Sequence, residues 1–286
     1  MTMPSISAVM VSWQTGPALF DSVAAVLADE DIAELILVDH ENPEADRVRI
    51  DALAAAEPRL KVLRTDQNLG FGRGCNLGAK AASGDILFFI NPDARPEPGA
   101  ARRLADILTE PAGTAIAGAR ILDEQGREQS GSRRRELTLW RALATFSGLA
   151  AAGLAKPFGQ EAEPMPDGPV QVAAISGAAF AIRATGFSAL GGFDEAFFLH
   201  VEDIDLCKRA RRVWFVPDAI VHHAGGTSRT SRFAVELEKA KSFLRYFWKH
   251  AHGAAGRAAA ILAAPFILTA IMLRALMLEV AGLFRR

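Results

Sequence analysis

The sequence predicts an α/β fold built around a mostly parallel sheet. In the first hundred residues, short continuous apolar runs alternate with helical stretches of about ten residues, which is the pattern of βαβ units. The chain has 286 residues, of which 50% are hydrophobic and 23% charged. This composition excludes a disordered or fibrous chain, and the length allows one large domain or two modest ones.

Each apolar run and each helical stretch is assigned to an element in turn. Strands are predicted at Ile6–Trp13, Leu35–Asp39, Leu60–Arg64 and Ile86–Ile90, and helices at Pro17–Ala28, Glu44–Ala56 and Gly74–Ala82. Beyond residue 100 the pattern is less regular, with a loop from Gly153 to Gly168. We predict strands there at Val170–Ile175, Ala178–Ile182, Val213–Val216 and Ala219–Val221, and helices at Glu202–Arg212 and Arg232–His250.

The net charge of −1 is the sum of two unlike parts. Residues 232–286 contain nine Lys or Arg and three Asp or Glu, so this end carries +6 and the remainder −7. A basic, apolar end on an acidic body is not typical of nucleic-acid binding, where basic groups line a folded face. The two cysteines exclude a disulfide framework and a cysteine-built zinc site. The start lacks the pattern of a signal peptide, so we expect the body of the protein in the cytoplasm.

The tail from Ala254 to Phe284 is strongly apolar. Within it, Ala258–Leu273 is a stretch without a charge, interrupted by Pro265, whereas a membrane span needs about 20 apolar residues. We therefore favour a helix lying in the membrane interface, with four arginines near the lipid head groups: Arg257, Arg274, Arg285 and Arg286. A helical hairpin packed on the body or on a partner subunit is the alternative.

Polar residues follow three of the predicted strands, at the edge where parallel sheets bind ligands. They are Ser12 with Gln14, then Asp39, and then Asn91-Pro92-Asp93. A carboxylate at the position of Asp93 can hold a divalent cation, which prefers oxygen ligands and often also binds substrate phosphates. A turn-forming Asp is the alternative.

Two further segments carry candidate chemistry. Five carboxylates lie between Phe193 and Asp205, beside apolar side chains that can raise the pKa of one of them, as a general base requires. N-capping of the next helix by Glu202 or Asp203 is the alternative, and both can hold. His222 and His223 end a later strand and point to opposite faces, so at most one is expected to bind a metal.

Several enzyme classes are excluded by spacing. The glycines at 70, 72 and 74 do not match G-x-G-x-x-G, because the third glycine of that motif would fall on Cys75. The run also follows the third strand rather than the first. The sequence contains no phosphate-binding P-loop and no G-x-S-x-G elbow.

Taken in order, the motifs resemble those of family 2 glycosyltransferases with the GT-A fold. The donor half of that family is matched by Asn68-Leu-Gly-Phe71 with Asn76, Gly84-Asp85 and Asn91-Pro-Asp93. The acceptor half is matched by Ser176-Gly-Ala178, Gly191-Gly-Phe-Asp-Glu195, Phe198, Glu202-Asp203-x-Asp205 and Pro217…His223-x-Gly-Gly-x-Ser228. The match covers about residues 5–250, and the subgroup it resembles most is the bacterial rhamnosyltransferase-like enzymes of cell-envelope polysaccharide assembly.

The resemblance implies a fold, a division of the chain and a metal-dependent reaction. The fold would be a Rossmann-like, mostly parallel sheet with flanking helices, followed by a membrane-associating helical tail. Residues 1–100 would bind the nucleotide sugar, residues 101–231 would bind the acceptor and carry catalysis, and residues 232–286 would form the C-terminal helices. The reaction would invert the anomeric carbon of a dTDP-rhamnose or UDP-sugar donor on a glycan or lipid-linked acceptor, at the inner face of the cell membrane.

The resemblance also implies roles for individual residues. Asp203 would be the base, and Asp93 and His223 would hold Mg²⁺ or Mn²⁺ on the donor diphosphate. Gly177 and Glu202 would bind the acceptor. Five residues would bind the nucleotide, with Asp39 at the uracil or thymine ring and the ribose: Ser12, Gln14, Asp39, Gly70 and Asn76.

Three departures from the family pattern remove no catalytic group. Gln14 and His40 stand where Asn is usual. The connection between the helix predicted to end at Arg212 and the strand predicted to begin at Val213 is short and lacks the customary glycine. Since Gln14 and His40 are expected near the base pocket, they leave the donor open. They also leave open a second hypothesis, a catalytically silent nucleotide-sugar-binding or scaffold protein. A nicotinamide-dependent oxidoreductase is the third hypothesis.

Overall fold

The computed structural model describes residues 3–109, 113–147, 149–150, 152–226 and 232–283. Its strands are β1 Ile6–Ser12, β2 Ile32–His40, β3 Leu60–Thr65, β4 Ile86–Ile90, β5 Ala94–Pro96, β6 Ala115–Leu122, β7 Arg133–Arg134, β8 Val170–Gln171, β9 Ala174–Ile175, β10 Ala179–Arg183 and β11 Arg212–His223. Its helices are α1 Pro17–Ala28, α2 Glu44–Ala56, α3 Phe71–Ala81, α4 Ala100–Ile107, α5 Leu139–Phe146, α6 Ala184–Ala189, α7 Glu202–Arg209, α8 Arg232–Lys249 and α9 Gly253–Leu283. Ser228, Phe284, Arg285 and Arg286 of the sequence analysis lie outside the described residues.

A single large sheet runs through both predicted halves of the chain. Its strand order is β3-β2-β1-β4-β10-β6-β11-β5, with β8 paired to β11. Strands β1 to β4 are parallel neighbours, β10 is antiparallel to both β4 and β6, and β11 runs parallel to β6. The sheet is therefore mostly parallel, as predicted.

Two apolar cores cover the two faces of this sheet. One is formed with α1, α2 and α4, which contribute side chains such as Leu19, Ile50 and Leu104. The other is formed with α3 and with α5 to α9, which contribute side chains such as Cys75 and Phe243. Because successive side chains of a strand point to opposite faces, the central strands β1, β2, β4, β6 and β10 supply both cores, which explains their apolar sequences.

The sequence predicted the first half closely. α1, α2 and β4 have the predicted bounds, while β2 begins earlier, at Ile32, and α3 begins at Phe71 rather than Gly74. In this region each element is a short apolar or amphipathic run bounded by turn residues, so local pattern and tertiary structure agree.

The second half differs from the prediction in several ways. The two strands predicted from Val213 to Val221 form one strand, β11, whose pairing with β6 shifts between Val216 and Ile220, at Pro217. The strand predicted at Val170–Ile175 is divided into β8 and β9, which join different sheets. The helix predicted at Glu202–Arg212 ends at Arg209.

The tail forms one helix rather than an interrupted one. α9 continues through Pro265. Its segment Gly253–Leu273 is long and apolar enough to cross a membrane, whereas the charge-free stretch Ala258–Leu273 was judged too short from sequence. One face packs against the body, where Ala260, Ala263, Ile267 and Ile271 are buried. α9 is thus packed on the body along one face, in line with the alternative of helices packed on the body, while most of the apolar surface of Gly253–Leu273 is exposed.

Candidate active site

Three polar side chains meet at the ends of β1 and β2. Ser12 and Asp39 are partners in the strand pairing and are almost completely buried. Asn42 links them, because its Nδ2 donates to Ser12 Oγ at 2.9 Å and to Asp39 Oδ1 at 2.8 Å. The Asn42 backbone N–H also donates to Asp39 Oδ1, at 3.0 Å. The carboxylate of Asp39 is therefore held in one orientation.

The second oxygen of Asp39 is buried and lacks a hydrogen-bond donor in the described part of the chain. Oδ2 accepts no hydrogen bond from any residue that the structure describes, although Arg64 Nε lies 3.4 Å away as an ion-pair partner. A buried acceptor without a donor is costly to leave unpaired. The N3–H of a pyrimidine ring or a ribose hydroxyl is a donor of the kind that this oxygen lacks.

Gln14 and His40, the two departures near the base pocket, occupy different environments. Gln14 is half-buried and has a positive φ of 50° just after β1. His40 follows Asp39 on β2 and so points to the other face, where its Nδ1 lies 2.7 Å from Thr65 Oγ1. A Cβ on Gly74 would lie 2.7 Å from His40 Nε2, so α3 packs closely on this ring. Burial lowers the pKa of His40.

Gly70 and Asn76 do not join the Ser12–Asp39 group. Gly70 has a φ of 83°, and a Cβ there would lie 2.4 Å from the carbonyl oxygen of Phe198, which accepts from Phe71 N. Asn76 bonds through its side chain to the backbone N–H and C=O of Phe193 and to Glu195. Both residues connect the start of α3 to the chain segment that precedes α7.

Asp93 and His223 lie side by side. Asp93 Oδ1 is 3.1 Å from His223 Nε2, and both side chains are mostly buried. Their neighbour His222 points away and lies 3.1 Å from Glu97 Oε1, so one histidine of the two faces the site. Asp93 and His223 are brought together because β5, which follows Asp93, pairs with the end of β11.

Gln129 orients the His223 ring. Its Nε2 donates to the His223 carbonyl at 2.6 Å, which leaves its Oε1 to accept from Nδ1 at 2.9 Å. Nε2 on the other side of the ring lies 3.2 Å from Asn91 Nδ2 and faces Asp93. A histidine that donates from Nδ1 to a neighbouring oxygen is oriented to bind a metal through Nε2.

A divalent cation fits between Asp93 and His223. Two adjacent ligands of an octahedral Mg²⁺ are about 3 Å apart, since each bond is about 2.1 Å. The 3.1 Å between Asp93 Oδ1 and His223 Nε2 matches this separation. Among the described residues no group of three His, Cys, Asp or Glu could hold a metal alone, so substrate phosphates and water would complete the coordination.

Asp203 is held by three hydrogen bonds at the start of α7. Its Oδ2 accepts from Arg134 Nη1 at 2.8 Å and from the Gly177 backbone N–H at 2.9 Å. Its Oδ1 accepts from the Ile204 backbone N–H at 2.8 Å. Both lone pairs of Oδ2 are thus used, whereas Oδ1 keeps one available. The N-cap residue of α7 is Val201, so neither Glu202 nor Asp203 has the capping role considered from sequence.

Glu202 and Gly177 flank this carboxylate in different ways. Glu202 is 6% exposed, and burial, with the charge of Asp203, raises the pKa of its carboxyl to about 8. A Cβ on Gly177 would lie 3.2 Å from the Cβ of Asp203, so any side chain there would press on the base. Gly177 therefore donates its backbone N–H to Asp203, and its lack of a side chain leaves room for that carboxylate.

One cavity of about 470 Å³ unites most of these groups. Gly177, Glu202, Asp203, Asn91 and His223 line it, and Asp93 adjoins it through His223. The five predicted nucleotide-binding residues, all of them described, do not line it, although Phe71 next to Gly70 does. The cavity is also lined by residues that the sequence analysis did not select, including Arg134, His200, Lys239 and Phe243.

Three residues that were not predicted from sequence orient the side chains of predicted site residues. Asn42 orients Asp39, Gln129 orients His223 and Arg134 holds Asp203. Arg134 belongs to a run of three arginines whose partners differ, since Arg133 pairs with Glu128 and Arg135 with Glu163. The sequence of the three arginines does not indicate which of them pairs with Asp203, because the partners are set by tertiary contacts.

The architecture is that of GT-A glycosyltransferases. GalNAc-T7 with UDP, GalNAc and Mn²⁺ superposes with a TM-score of 0.60 at 17% identity, over 87% of this chain and 49% of that one. The chain therefore spans about half the length of GalNAc-T7. A mannosyltransferase from Pyrobaculum calidifontis in complex with GDP-Man and Mn²⁺ gives a TM-score of 0.59 at 15% identity, over 98% and 76% of the two chains. At these identities the similarity shows the fold.

The sequence comparison gives the family. Residues 7–170, more than half of the chain, match the model of Glycosyl transferase family 2, and the chain belongs to that family. It is thus a glycosyltransferase. A similar curated protein is the N-acetylglucosaminyl-diphospho-decaprenol L-rhamnosyltransferase of Mycobacterium tuberculosis, 26% identical over 232 residues, which is 75% of each chain. The resemblance drawn from motif order is confirmed at the level of family and of a rhamnosyltransferase relative.

Proposed function

We propose that this enzyme transfers a sugar from a nucleoside diphosphate donor to an acceptor hydroxyl in a single displacement that inverts the anomeric carbon. The observation that carries the proposal is the arrangement around one cavity of a metal-binding pair, Asp93 with His223, and a carboxylate base, Asp203. A direct displacement needs these two elements: one to stabilise the leaving diphosphate and one to accept the proton of the attacking hydroxyl.

Asp203 is suited to take the proton through Oδ1. Arg134 and the Gly177 N–H occupy Oδ2 and fix the plane of the carboxylate. The free lone pair of Oδ1 is then the acceptor that an incoming hydroxyl meets. Fixed orientation of this kind lowers the cost of reaching the reactive geometry.

Asp93 and His223 are the residues that would hold Mg²⁺ or Mn²⁺. Such an ion supplies charge stabilisation for the departing nucleoside diphosphate. The protein's own contribution is the fixed ring of His223, which Gln129 holds with Nε2 toward Asp93. Asn91 provides an amide donor at the same place.

The nucleotide would bind at the ends of β1 and β2. Asp39 Oδ2 would accept from the base or the ribose, and Ser12 and Gln14 would lie beside them. Gly70 and Asn76, also expected to bind nucleotide, support the start of α3. Residues 1–100 would therefore bind the nucleotide sugar, and residues 101–231 would bind the acceptor and supply His223 to the metal, while α8 adds wall residues to the cavity.

The proposed substrates follow from the mycobacterial relative, whose name specifies L-rhamnose transfer to a diphospho-decaprenol-linked N-acetylglucosamine. For this chain we propose dTDP-rhamnose or a UDP-sugar as donor and a glycan or lipid-linked acceptor of cell-envelope polysaccharide synthesis. The test is Mn²⁺- or Mg²⁺-dependent release of dTDP or UDP, with N-acetylglucosaminyl-diphospho-decaprenol as the first acceptor tried. Nucleotide binding without any release, by transfer or by hydrolysis, would favour the silent, scaffold alternative.

We further propose that the exposed face of α9 docks on the cytoplasmic face of the membrane. Ile261, Leu262 and Phe266 are 60–71% exposed. Near the start of this helix Arg257 lies over the ring of the exposed Trp248, at 5.4 Å. An apolar helix face with Trp and Arg at its end is typical of binding to the interface of anionic membranes.

Substituting this face predicts loss of membrane binding without loss of fold. The triple variant I261Q/L262Q/F266Q should bind anionic vesicles at least about a hundredfold more weakly in sedimentation, because each buried apolar side chain is worth about 1.5–3 kcal/mol. Its melting temperature should change little. The control is Ile267→Ala on the buried face of α9, which should lower the melting temperature and leave vesicle binding of the folded protein intact. Wild-type protein that remains in the supernatant would contradict the proposal.

A further inference from the structure

A second cavity lies along α7, apart from the cavity that contains Asp203. Its volume is about 250 Å³. Ile204, Cys207 and Lys208 line it from α7, at the i, i+3 and i+4 spacing of side chains that share one face of a helix. Among the described residues, Ile204 alone lines both cavities, so the second cavity is a separate site and not an extension of the first.

The remaining walls join this second cavity to the helices that carry the tail. Glu136 lies just before α5, the segment from Gln171 to Ala174 contains β8 and the start of β9, and Tyr246 belongs to α8. α9 packs against both α5 and α8. Tyr246 is also two residues from Trp248, the exposed ring at the end of the proposed membrane-docking face. The cavity therefore lies beside the part of the chain that is proposed to meet the membrane.

The side chains that line this cavity carry a net positive charge. Lys208, Arg211 and Arg212 supply three positive charges and Glu136 one negative charge, a net of +2 over the described lining residues. Lys208 pairs with Glu136 and lowers the pKa of that carboxyl, so both are ionised and their charges balance. The net charge therefore belongs to Arg211 and Arg212. A recess lined by charges of one sign concentrates ions of the opposite sign. We call it the basic cavity.

The polar groups of the basic cavity are mostly hydrogen-bond donors. The two guanidinium groups of Arg211 and Arg212 only donate, and the amide of Gln171 and the hydroxyl of Tyr246 can also donate. Burial raises the pKa of the Tyr246 hydroxyl, so that it keeps its proton. Phosphate oxygens only accept, and the planar fork of an arginine matches a phosphate with two parallel bonds. Arg211 and Arg212 are exposed, so an anion in solution reaches them directly.

We propose that the basic cavity binds the phosphate group of an anionic phospholipid head group. When α9 docks, lipid phosphates are the anions that surround the end of α8, and an anionic leaflet attracts basic side chains close to its surface. The inference goes beyond sugar transfer, and it rests on the proposed docking of α9 only for the source of the phosphate. A free phosphate ester has the same chemistry, so the experiment has to separate these two sources.

The experiment compares two kinds of variant in the full-length protein. R211Q/R212Q removes two positive charges and keeps hydrogen-bond donors. Ala173→Phe keeps every charge and fills the cavity, because Ala173 is an exposed residue of its wall. The control is R103Q/R127Q, which removes two exposed arginines that do not line the cavity. All three proteins should melt close to the wild-type temperature, since the substituted side chains are exposed.

Binding is measured to two probes. The first is phosphatidylcholine vesicles with and without phosphatidylglycerol, by sedimentation, and the second is glycerophosphoglycerol, the soluble head group of the same lipid, by calorimetry. R211Q/R212Q should bind the anionic vesicles about thirtyfold more weakly than wild type, since each basic group near the surface is worth about fivefold. Ala173→Phe should lose about tenfold or more, and the control less than about threefold. Neither cavity variant should bind the soluble head group.

The two kinds of variant separate a cavity site from diffuse surface charge. If R211Q/R212Q loses vesicle binding while Ala173→Phe binds like wild type, the attraction is diffuse and the inference is overturned. Soluble head group that binds in the cavity, with vesicle binding unchanged in both variants, would overturn the lipid as the source of the phosphate. Wild-type protein that binds the soluble head group and no vesicles contradicts the docking of α9 and keeps the anion site. None of these measurements requires sugar transfer, so the proposed reaction is tested separately.

Discussion

Replacing Asp203 with Asn is expected to lower the rate of sugar transfer by about 10²–10⁴-fold, the range for loss of a general base. The amide keeps an oxygen for the Gly177 N–H but does not accept a proton at neutral pH. The nucleotide would bind at the ends of β1 and β2, away from this carboxylate. The affinity for dTDP or UDP with Mn²⁺, measured by calorimetry, should therefore stay within about threefold of wild type.

The matched control is Asp205→Asn on the same helix. Asp205 is fully buried and pairs with three groups: Arg209 at 2.9 Å, Lys249 at 2.7 Å and His250 at 2.9 Å. These contacts join α7 to the end of α8, so this variant should lose several kcal/mol of stability, about 3–5 kcal/mol for a broken buried pair. The kcat of the protein that remains folded should be close to wild type. An Asp203→Asn enzyme with wild-type turnover would refute the assignment of the base.

Substituting Asp93 or His223 with Ala is expected to remove the response of the enzyme to Mn²⁺. Each variant loses one of the two protein atoms that face each other at 3.1 Å, so the ion would be held by the diphosphate alone. Turnover at saturating donor should fall at least about a hundredfold, since a bound metal is worth several kcal/mol of charge stabilisation. Mn²⁺ titrations of donor hydrolysis, with electron paramagnetic resonance of bound Mn²⁺ in the presence of UDP or dTDP, measure the effect.

Two further variants separate the metal site from its surroundings. His222→Ala removes the neighbouring ring, which contacts Glu97, and should leave Mn²⁺ affinity unchanged. Gln129→Leu removes the group that orients the His223 ring, and should weaken Mn²⁺ binding by about 10–100-fold, as loss of a partner that orients a ligand commonly does. If Asp93→Ala binds and uses Mn²⁺ like wild type, the ion lies elsewhere.

The fold was predictable where local pattern and burial agree. α1, α2 and β4 end where the sequence places them because turn residues bound short apolar or amphipathic runs. Residues 100–150 were not assigned, although they contain α4, β6 and α5, because their apolar and charged residues do not alternate in one clear period. Pro265 does not interrupt α9: the helix continues on both sides of it, with Ala263 and Ile267 packed on the body.

The site residues that lie at strand ends could be predicted from the sequence. Because β1, β2 and β4 are parallel neighbours, Ser12, Asp39 and Asp93 lie at or just after strand ends at one edge of the sheet, and motif order supplied His223. The residues that orient them could not be predicted, since Gln129 and Arg134 reach His223 and Asp203 across 94 and 69 positions of sequence. The positive φ of His200 and Val201 has no sequence signal either, because neither is a residue that prefers this region.

Asp203 is proposed to support a single displacement at the anomeric carbon of the donor. The measurement that tests it most directly is the anomeric configuration of the new linkage, read by NMR from the product that the wild-type enzyme forms with Mn²⁺ and a nucleotide-sugar donor. One base and no covalent sugar intermediate predict a product whose configuration is opposite to that of the donor. A product that keeps the configuration of the donor would contradict the claim.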